Sequence, residues 1–309
     1  MTSNPSPLTT FLPESGDGLA RLFGRLDPLF ADVWATHVSR LLGRNILDPR
    51  TRFLVLTGQY TVTGMTAQLE ENLGAALTYG VPSEELLEII LQCYVYTGPW
   101  VVSAACETYE RVLETRNTTH RTEAPPEVRS LAEERQQWSS SDRSDPRLEP
   151  LLARYGWKGI SNGLRLRPGH HINLVDTLDA LDPDFLEAWL AAVYEGHYGR
   201  RVLGDRTRLL SVVGSTLALG EQHQSRRHMR AALRSGASPR ELLEVIIHTT
   251  AIFGHPHVMP AAIDDLIRIV DQEGRLEELV EPRRMAEIRR IVAARVARRQ
   301  GVSDDLSKE

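Results

Sequence analysis

The chain contains two copies of one pattern. Leu26-Asp27-Pro28-Leu29-Phe30 and Leu181-Asp182-Pro183-Asp184-Phe185 stand at the same distance before a tryptophan, Trp34 and Trp189. Each copy then reaches an Arg-Thr-Arg tripeptide, Arg50-Thr51-Arg52 and Arg206-Thr207-Arg208. From there the copies run without a gap. Gly58 matches Gly214, Gly64 matches Gly220, Ala75-Ala76-Leu77 matches Ala231-Ala232-Leu233, and Gly80 matches Gly236. Glu85-Leu86-Leu87-Glu88 and Glu241-Leu242-Leu243-Glu244 follow, then Gly98 and Gly254. Such self-similarity constrains the fold strongly, because each copy must bury the same apolar faces. It predicts a tandem duplication of one domain over residues 20–115 and 176–275. Residues 1–19 read as a flexible N-terminus. Residues 116–175, rich in Pro, Ser and Gly, read as a linker with one short helix around Glu127 to Trp138. Residues 276–309 read as a basic amphipathic helix and tail.

Each copy has helical punctuation. Asp48-Pro49 supplies an N-cap and a proline at the first helical position, and Asp205 is placed to cap the matching helix of the second copy. Ser83 followed by Glu84-Glu85 and the run from Leu86 to Leu91 starts another helix, with acid in its first turn. No segment alternates long enough to require a sheet, so the expected fold is all-α. From Arg283 to Arg299, Met285, Ile288, Val292 and Val296 recur at helical spacing. This predicts a terminal helix packed on its own protein or a neighbouring subunit, with its arginines in solvent.

Composition removes several function classes. With 36 basic and 41 acidic residues the net charge is -5 and the pI about 6.1, which is not a nucleic-acid binder's footprint. Cys93 and Cys106 form neither a disulfide framework nor a CxxC pair, which suits a reducing cytoplasm. No stretch approaches roughly 18 uninterrupted apolar residues and no basic region precedes an apolar run near the N-terminus, so neither a membrane span nor a secretion signal is expected.

Arg-Thr-Arg, then His-Met-Arg-Ala-Ala-Leu-Arg-Ser-Gly at His228 to Gly236, then Glu-Leu-Leu-Glu-Val-Ile-Ile-His and Gly-His-Pro at Gly254 to Pro256, resembles the carboxymuconolactone decarboxylase family. The resemblance covers both copies and is stronger in the second. It implies an all-helical fold and ring-shaped oligomers of single domains, so a fused pair implies a homo-oligomer of half as many chains, a trimer of six pseudo-equivalent domains. In the alkylhydroperoxidase branch of that superfamily a CxxC pair precedes the histidine. Glu221 and Gln224 stand at those positions here, and Met65 and Gln68 in the first copy, so thiol peroxidase chemistry is excluded. In the decarboxylase branch a carboxylate precedes the histidine by four residues, where this chain has Gln224.

The residues of the second copy define a candidate site. Glu221, Gln224 and His228, at i, i+3 and i+7, share a helix face and bring a carboxylate, an amide and an imidazole together. His228 lies at the border of the buried stripe, a position suited to a general acid or base. His248 is either a satisfied core histidine or a second polar group facing the same cavity. His223, His255 and His257 are candidate substrate contacts, and Trp100, with Tyr94 and Tyr96, a candidate apolar wall. His223 and His228 are five apart, which fails the i, i+4 spacing of helical metal pairs, so no metal is expected. In the first copy Asn72 replaces His228 and Gln92 replaces His248, and neither transfers protons near neutral pH. The expected function is a cofactor-free enzyme acting on a small lactone, keto acid or polyketide-like metabolite. His228 would move the proton, with Glu221 beside it and His248 and Gln224 stabilising enolate-like charge. Decarboxylation is what the resemblance implies. The alternatives are a proton-transfer cyclase, dehydratase or isomerase of secondary metabolism, and a non-catalytic binding or scaffold protein.

Overall fold

The computed structural model describes residues 10–119, 130–254 and 258–306, and every regular element within them is helical. The first half comprises α1 (Ser15–Leu26), α2 (Pro28–Leu42), α3 (Pro49–Val62), α4 (Thr66–Tyr79), α5 (Ser83–Gln92) and α6 (Tyr94–Thr115). The connecting segment forms α7 (Leu131–Gln137), α8 (Ser140–Arg143), α9 (Leu148–Tyr155) and α10 (Trp157–Leu166). In the second half α11 (His171–Leu181) leads to α12 (Pro183–Trp189), which runs on as a π-helical stretch, Leu190–His197, and a 3-10 turn, Tyr198–Arg200. Then come α13 (Asp205–Ala218), α14 (Gln222–Arg234), α15 (Pro239–Phe253), α16 (Met259–Gln272) and α17 (Met285–Leu306).

The two halves start their helices with the same chemistry. Asp27 and Asp182 cap α2 and α12, accepting from the N–H of Phe30 at 3.1 Å and of Phe185 at 2.9 Å, each with proline at the first helical position. Asp48 caps α3 as expected, accepting from Thr51 N–H at 2.9 Å. Asp205 does not cap α13. Gly204 occupies that position, and Asp205 instead takes an ion pair from Arg165 at 2.5 Å.

At the centre α3 crosses α13, and both are buried on nearly every face. Gly58 and Gly214 lie at this crossing. A Cβ on Gly58 would meet the Ser215 hydroxyl at 2.5 Å, and one on Gly214 would meet Val55 at 2.8 Å. The repeated glycine is therefore required by helix approach and not by backbone conformation. One core gathers around α3 to α6. The other, around α13 to α16, includes α9, α10 and the start of α11.

That second core corrects the reading of residues 116–175 as a linker. Ile160 and Leu164 of α10 are fully buried, and the glycines of this segment serve close packing: a Cβ on Gly163 would lie 2.0 Å from the His171 ring, and one on Gly159 would lie 3.1 Å from Leu190. The short helix expected around Glu127 to Trp138 is α7, although residues 120–129 lie outside the described part. Residues 10–19 of the expected flexible N-terminus are likewise not simply a tail, since Phe11 is buried against Phe53 with ring centroids 4.9 Å apart and α1 begins at Ser15. The terminal helix α17 packs on α16. Three of its five arginines are paired rather than merely solvated: Arg289 holds Asp271 at 2.6 Å, and Arg295 and Arg299 share the buried Asp264. Among the described residues no single helix is long and apolar enough to cross a membrane.

Candidate functional site

The repeated motifs resolve into ion pairs. Arg50 pairs with Glu85 at 2.6 Å, and Arg206 pairs with Glu241, each within its own half. The last arginine of each Arg-Thr-Arg reaches the opposite half. Arg208 donates to Glu88 at 2.6 Å and to Gln92 Oε1 at 3.3 Å, and Arg200 shares that carboxylate at 2.8 Å. In the matching arrangement Arg52 lies 3.8 Å from Glu244, whose other oxygen holds Arg44 at 2.7 Å, and Arg52 donates to His248 Nε2 at 2.5 Å. His248 and Gln92 thus occupy matching positions and do the same work, accepting from a buried guanidinium. Burial, reinforced by the Arg52 and Arg44 charges, holds the His248 imidazole well below its ordinary range. A donor on Nε2 places the ring proton on Nδ1.

His228 is placed elsewhere. It projects inward from α14, and its Nε2 lies 3.1 Å from the Tyr96 hydroxyl, which lies 2.8 Å from the Tyr198 hydroxyl. Tyr96 belongs to α6, two residues before the break at Gly98, where φ is 72°. Tyr198 comes from the 3-10 turn before α13. The site is therefore built from both halves. Tyr194 packs beside Tyr198 at 5.9 Å between ring centroids, and the His171 ring contacts Tyr194 at 4.6 Å. His228, Tyr194 and Tyr198 are buried, while Tyr96 is half-buried.

Burial, together with the Arg167 and Arg227 charges, pushes the His228 imidazole down to about 3. Burial raises the Tyr96 and Tyr198 hydroxyls above their ordinary range. All three groups are neutral at pH 7. The result is a short chain of neutral donors and acceptors, able to pass a proton along its length or to hydrogen-bond an oxyanion.

The other expected site residues are dispersed. Glu221 is exposed at the N-cap of α14, a position from which its side chain makes no hydrogen bond to His228 among the described residues. Gln224 accepts from Arg167 at 3.3 Å, and the exposed His223 meets Arg226 at 3.1 Å. Trp100, the expected wall, is 84% exposed. His255 and His257 lie outside the described residues. In the first half Asn72 donates to Thr57 at 2.9 Å and to the Phe53 carbonyl at 3.2 Å, both structural bonds within the buried core. Among the described residues no three His, Cys, Asp or Glu side chains gather to hold a metal ion. Cys93 is buried, which pushes its thiol up to about 12 and leaves it inert as a nucleophile.

Tyr198 and the polar role of Tyr96 were missed from sequence. A comparison of the copies contains the signal. Tyr198 stands two residues before Arg200 as Leu42 stands two before Arg44, and Tyr96 stands two before Gly98 as Ile252 stands two before Gly254. In each case a tyrosine hydroxyl stands in one copy where the other copy has an aliphatic side chain, Tyr198 in the copy that has His228 and Tyr96 in the copy that has Asn72.

Residues 183–264, from α12 into α16, match the Carboxymuconolactone decarboxylase family. The matched segment contains Tyr198, His228 and His248; Tyr96 and Arg167 lie outside it. No curated protein matches the chain.

Proposed function

We propose that the chain is a cofactor-free acid–base enzyme acting on a small oxygenated carbon acid, such as a lactone or β-keto acid, at the site formed by His228, Tyr96 and Tyr198. The observation that carries this reading is the Tyr198–Tyr96–His228 chain of hydrogen bonds, 2.8 and 3.1 Å long, in a buried setting beside two arginines. A tyrosine hydroxyl is a good donor to an enolate-like oxygen, and His228 Nε2 takes or returns the proton. The exposed Glu221 and the diverted His248 have no part in this scheme. Decarboxylation is the reaction suggested by the similarity of residues 183–264 to the Carboxymuconolactone decarboxylase family. A proton-transfer cyclisation, dehydration or isomerisation uses the same groups and needs no further acid.

Turnover of candidate lactones and β-keto acids should fall about 10²- to 10⁴-fold in His228→Ala, and by a comparable factor in Tyr198→Phe, which removes only the hydroxyl. Wild-type turnover in both variants would remove the relay from the mechanism. Tight ligand binding without turnover would favour the reading as a binding protein, for which the 2% exposure of His228 is the supporting observation.

The two halves are read as a tandem duplication of domains near 20–115 and 176–275, of which the second supplies His228 and Tyr198 and the first supplies Tyr96. Support comes from the shared caps, the reciprocal Arg–Glu pairs across the halves, and left-handed glycines at matching positions, with φ of 96° at Gly80 and 92° at Gly236. Each half also exposes matching apolar residues, Leu26 and Phe30 in one and Leu181 and Phe185 in the other, all at least 49% exposed. Two such patches per chain suit a closed ring in which each is covered by a neighbour. A trimer is expected, and light scattering on the purified chain that gave a monomer mass would exclude it.

A further inference from the structure

The outer face of α14 has a different character from the face that carries His228. His223, Arg226, Arg227 and Arg230, spaced i, i+3, i+4 and i+7, line a groove of about 290 Å³ against Arg268 of α16, and Arg167 and His170 close one end. The lining contains five arginines and one carboxylate, Asp265. That carboxylate is engaged already, by Gln222 at 2.9 Å and more distantly by Arg226 at 3.8 Å and Arg268 at 4.0 Å. Arg227 forms no ion pair among the described residues, and the polar partner of Arg167 is the neutral Gln224. These two half-buried guanidinium groups are close enough that the charge of Arg167 disfavours the charged form of Arg227.

The fold does not demand this charge. The first half has a groove on the matching face of α4, lined by Ala67, Glu70, Glu71 and Gly74 at the positions of His223, Arg226, Arg227 and Arg230. The same backbone therefore accepts acid where the second half gathers base. Unpaired like charges held together in a partly enclosed groove are unfavourable without a counter-charge, and guanidinium forks match the geometry of phosphate and carboxylate oxygens.

We propose that the groove between α14 and α16 is a binding site for a compact, multiply charged oxyanion, a phosphate ester or a polycarboxylate, with Arg167 and Arg227 as its main contacts. A groove of about 290 Å³ is of a size for one compact anion. Arg167 and Arg227 also lie beside His228, but anion binding in this groove is read without turnover and does not require the reaction assigned to His228.

Calorimetric titration of the full-length chain with pyrophosphate and, separately, with citrate, at ionic strength matched by sodium chloride, tests this. At least one of the two should bind saturably. The affinity should fall about tenfold or more in Arg167→Gln and in Arg227→Gln, and should be unchanged in Arg283→Gln, whose side chain is 82% exposed on another part of the surface. Pyrophosphate binding alone identifies a phosphate site, and citrate binding alone a polycarboxylate site. Arg227→Glu places there the acid that Glu71 supplies at the matching position of the first half, so it should fold and bind neither anion. No saturable binding by either anion, or wild-type affinity in the arginine variants, overturns the proposal.

Discussion

Glu88→Leu is expected to cost the chain about 3–5 kcal/mol of stability, because it strands the Arg208 guanidinium inside the protein without its carboxylate. Arg208 is 1% exposed by its side chain and would retain just the hydrogen bond to Gln92 Oε1, at 3.3 Å, among the described residues. Replacing both members, as Glu88→Leu with Arg208→Met, should recover most of the loss, since a well-packed apolar pair needs no desolvated charge. The matching site gives an internal control. Glu244→Leu strands Arg52, but Arg52 also donates to the Arg44 carbonyl at 2.5 Å and to His248 at 2.5 Å, so the loss should be smaller. Urea unfolding at pH 7 measures all three variants. A loss in Glu88→Leu below about 1 kcal/mol would mean that the crossed pairs do not hold the halves together.

The second large effect is on acid stability. Burial pushes the His171 and His228 imidazoles down to about 3, from an ordinary value of 6.5. In the folded chain both stay neutral as the pH falls below 6.5, while in the unfolded chain both take up a proton. The unfolded state then binds more protons, so stability rises with pH across this window. The contribution is fully present above about pH 6.5 and is lost progressively towards pH 3. By pH 4.5 the loss amounts to roughly 2–3 kcal/mol for each ring, at about 1.4 kcal/mol per pH unit. His171 is the ring to remove, because it lies outside the proposed relay and is a small aromatic packed against Gly163 and Tyr194, with neither ring nitrogen hydrogen-bonded among the described residues. His171→Phe should keep the fold at pH 7 and reduce the fall in stability between pH 7 and 4.5 by about 2–3 kcal/mol. An unchanged fall would mean that His171 is not buried in its neutral form.

Much of the architecture was legible without coordinates. Asp-Pro pairs announced helix starts, and the recurring glycines and Glu-Leu-Leu-Glu runs marked two matching halves. What composition concealed was residues 131–166. Gly159 and Gly163 look like linker glycines by content, yet each is there because another side chain occupies the space a Cβ would need. Asp205 looked like a cap by position, but Arg165 reaches it from a helix that local sequence could not place.

The site divides in the same way. His228, and its replacement by Asn72 in the first copy, could be read directly from the aligned sequence. Its partners could not, since Tyr96 lies 132 residues away in the other half. The grouping of His248 with His228 failed for a related reason: one histidine faces Arg52 and the other faces Tyr96, although both sit on apolar helix faces of the same copy. The sequence by itself determined an all-helical chain, which residues recur, and which copy retains the imidazole, because helix periodicity and capping are local properties. Only the tertiary structure decided that the recurring arginines and glutamates pair across the halves and that the histidine meets two tyrosines, because those contacts depend on α3 and α13 crossing at Gly58 and Gly214.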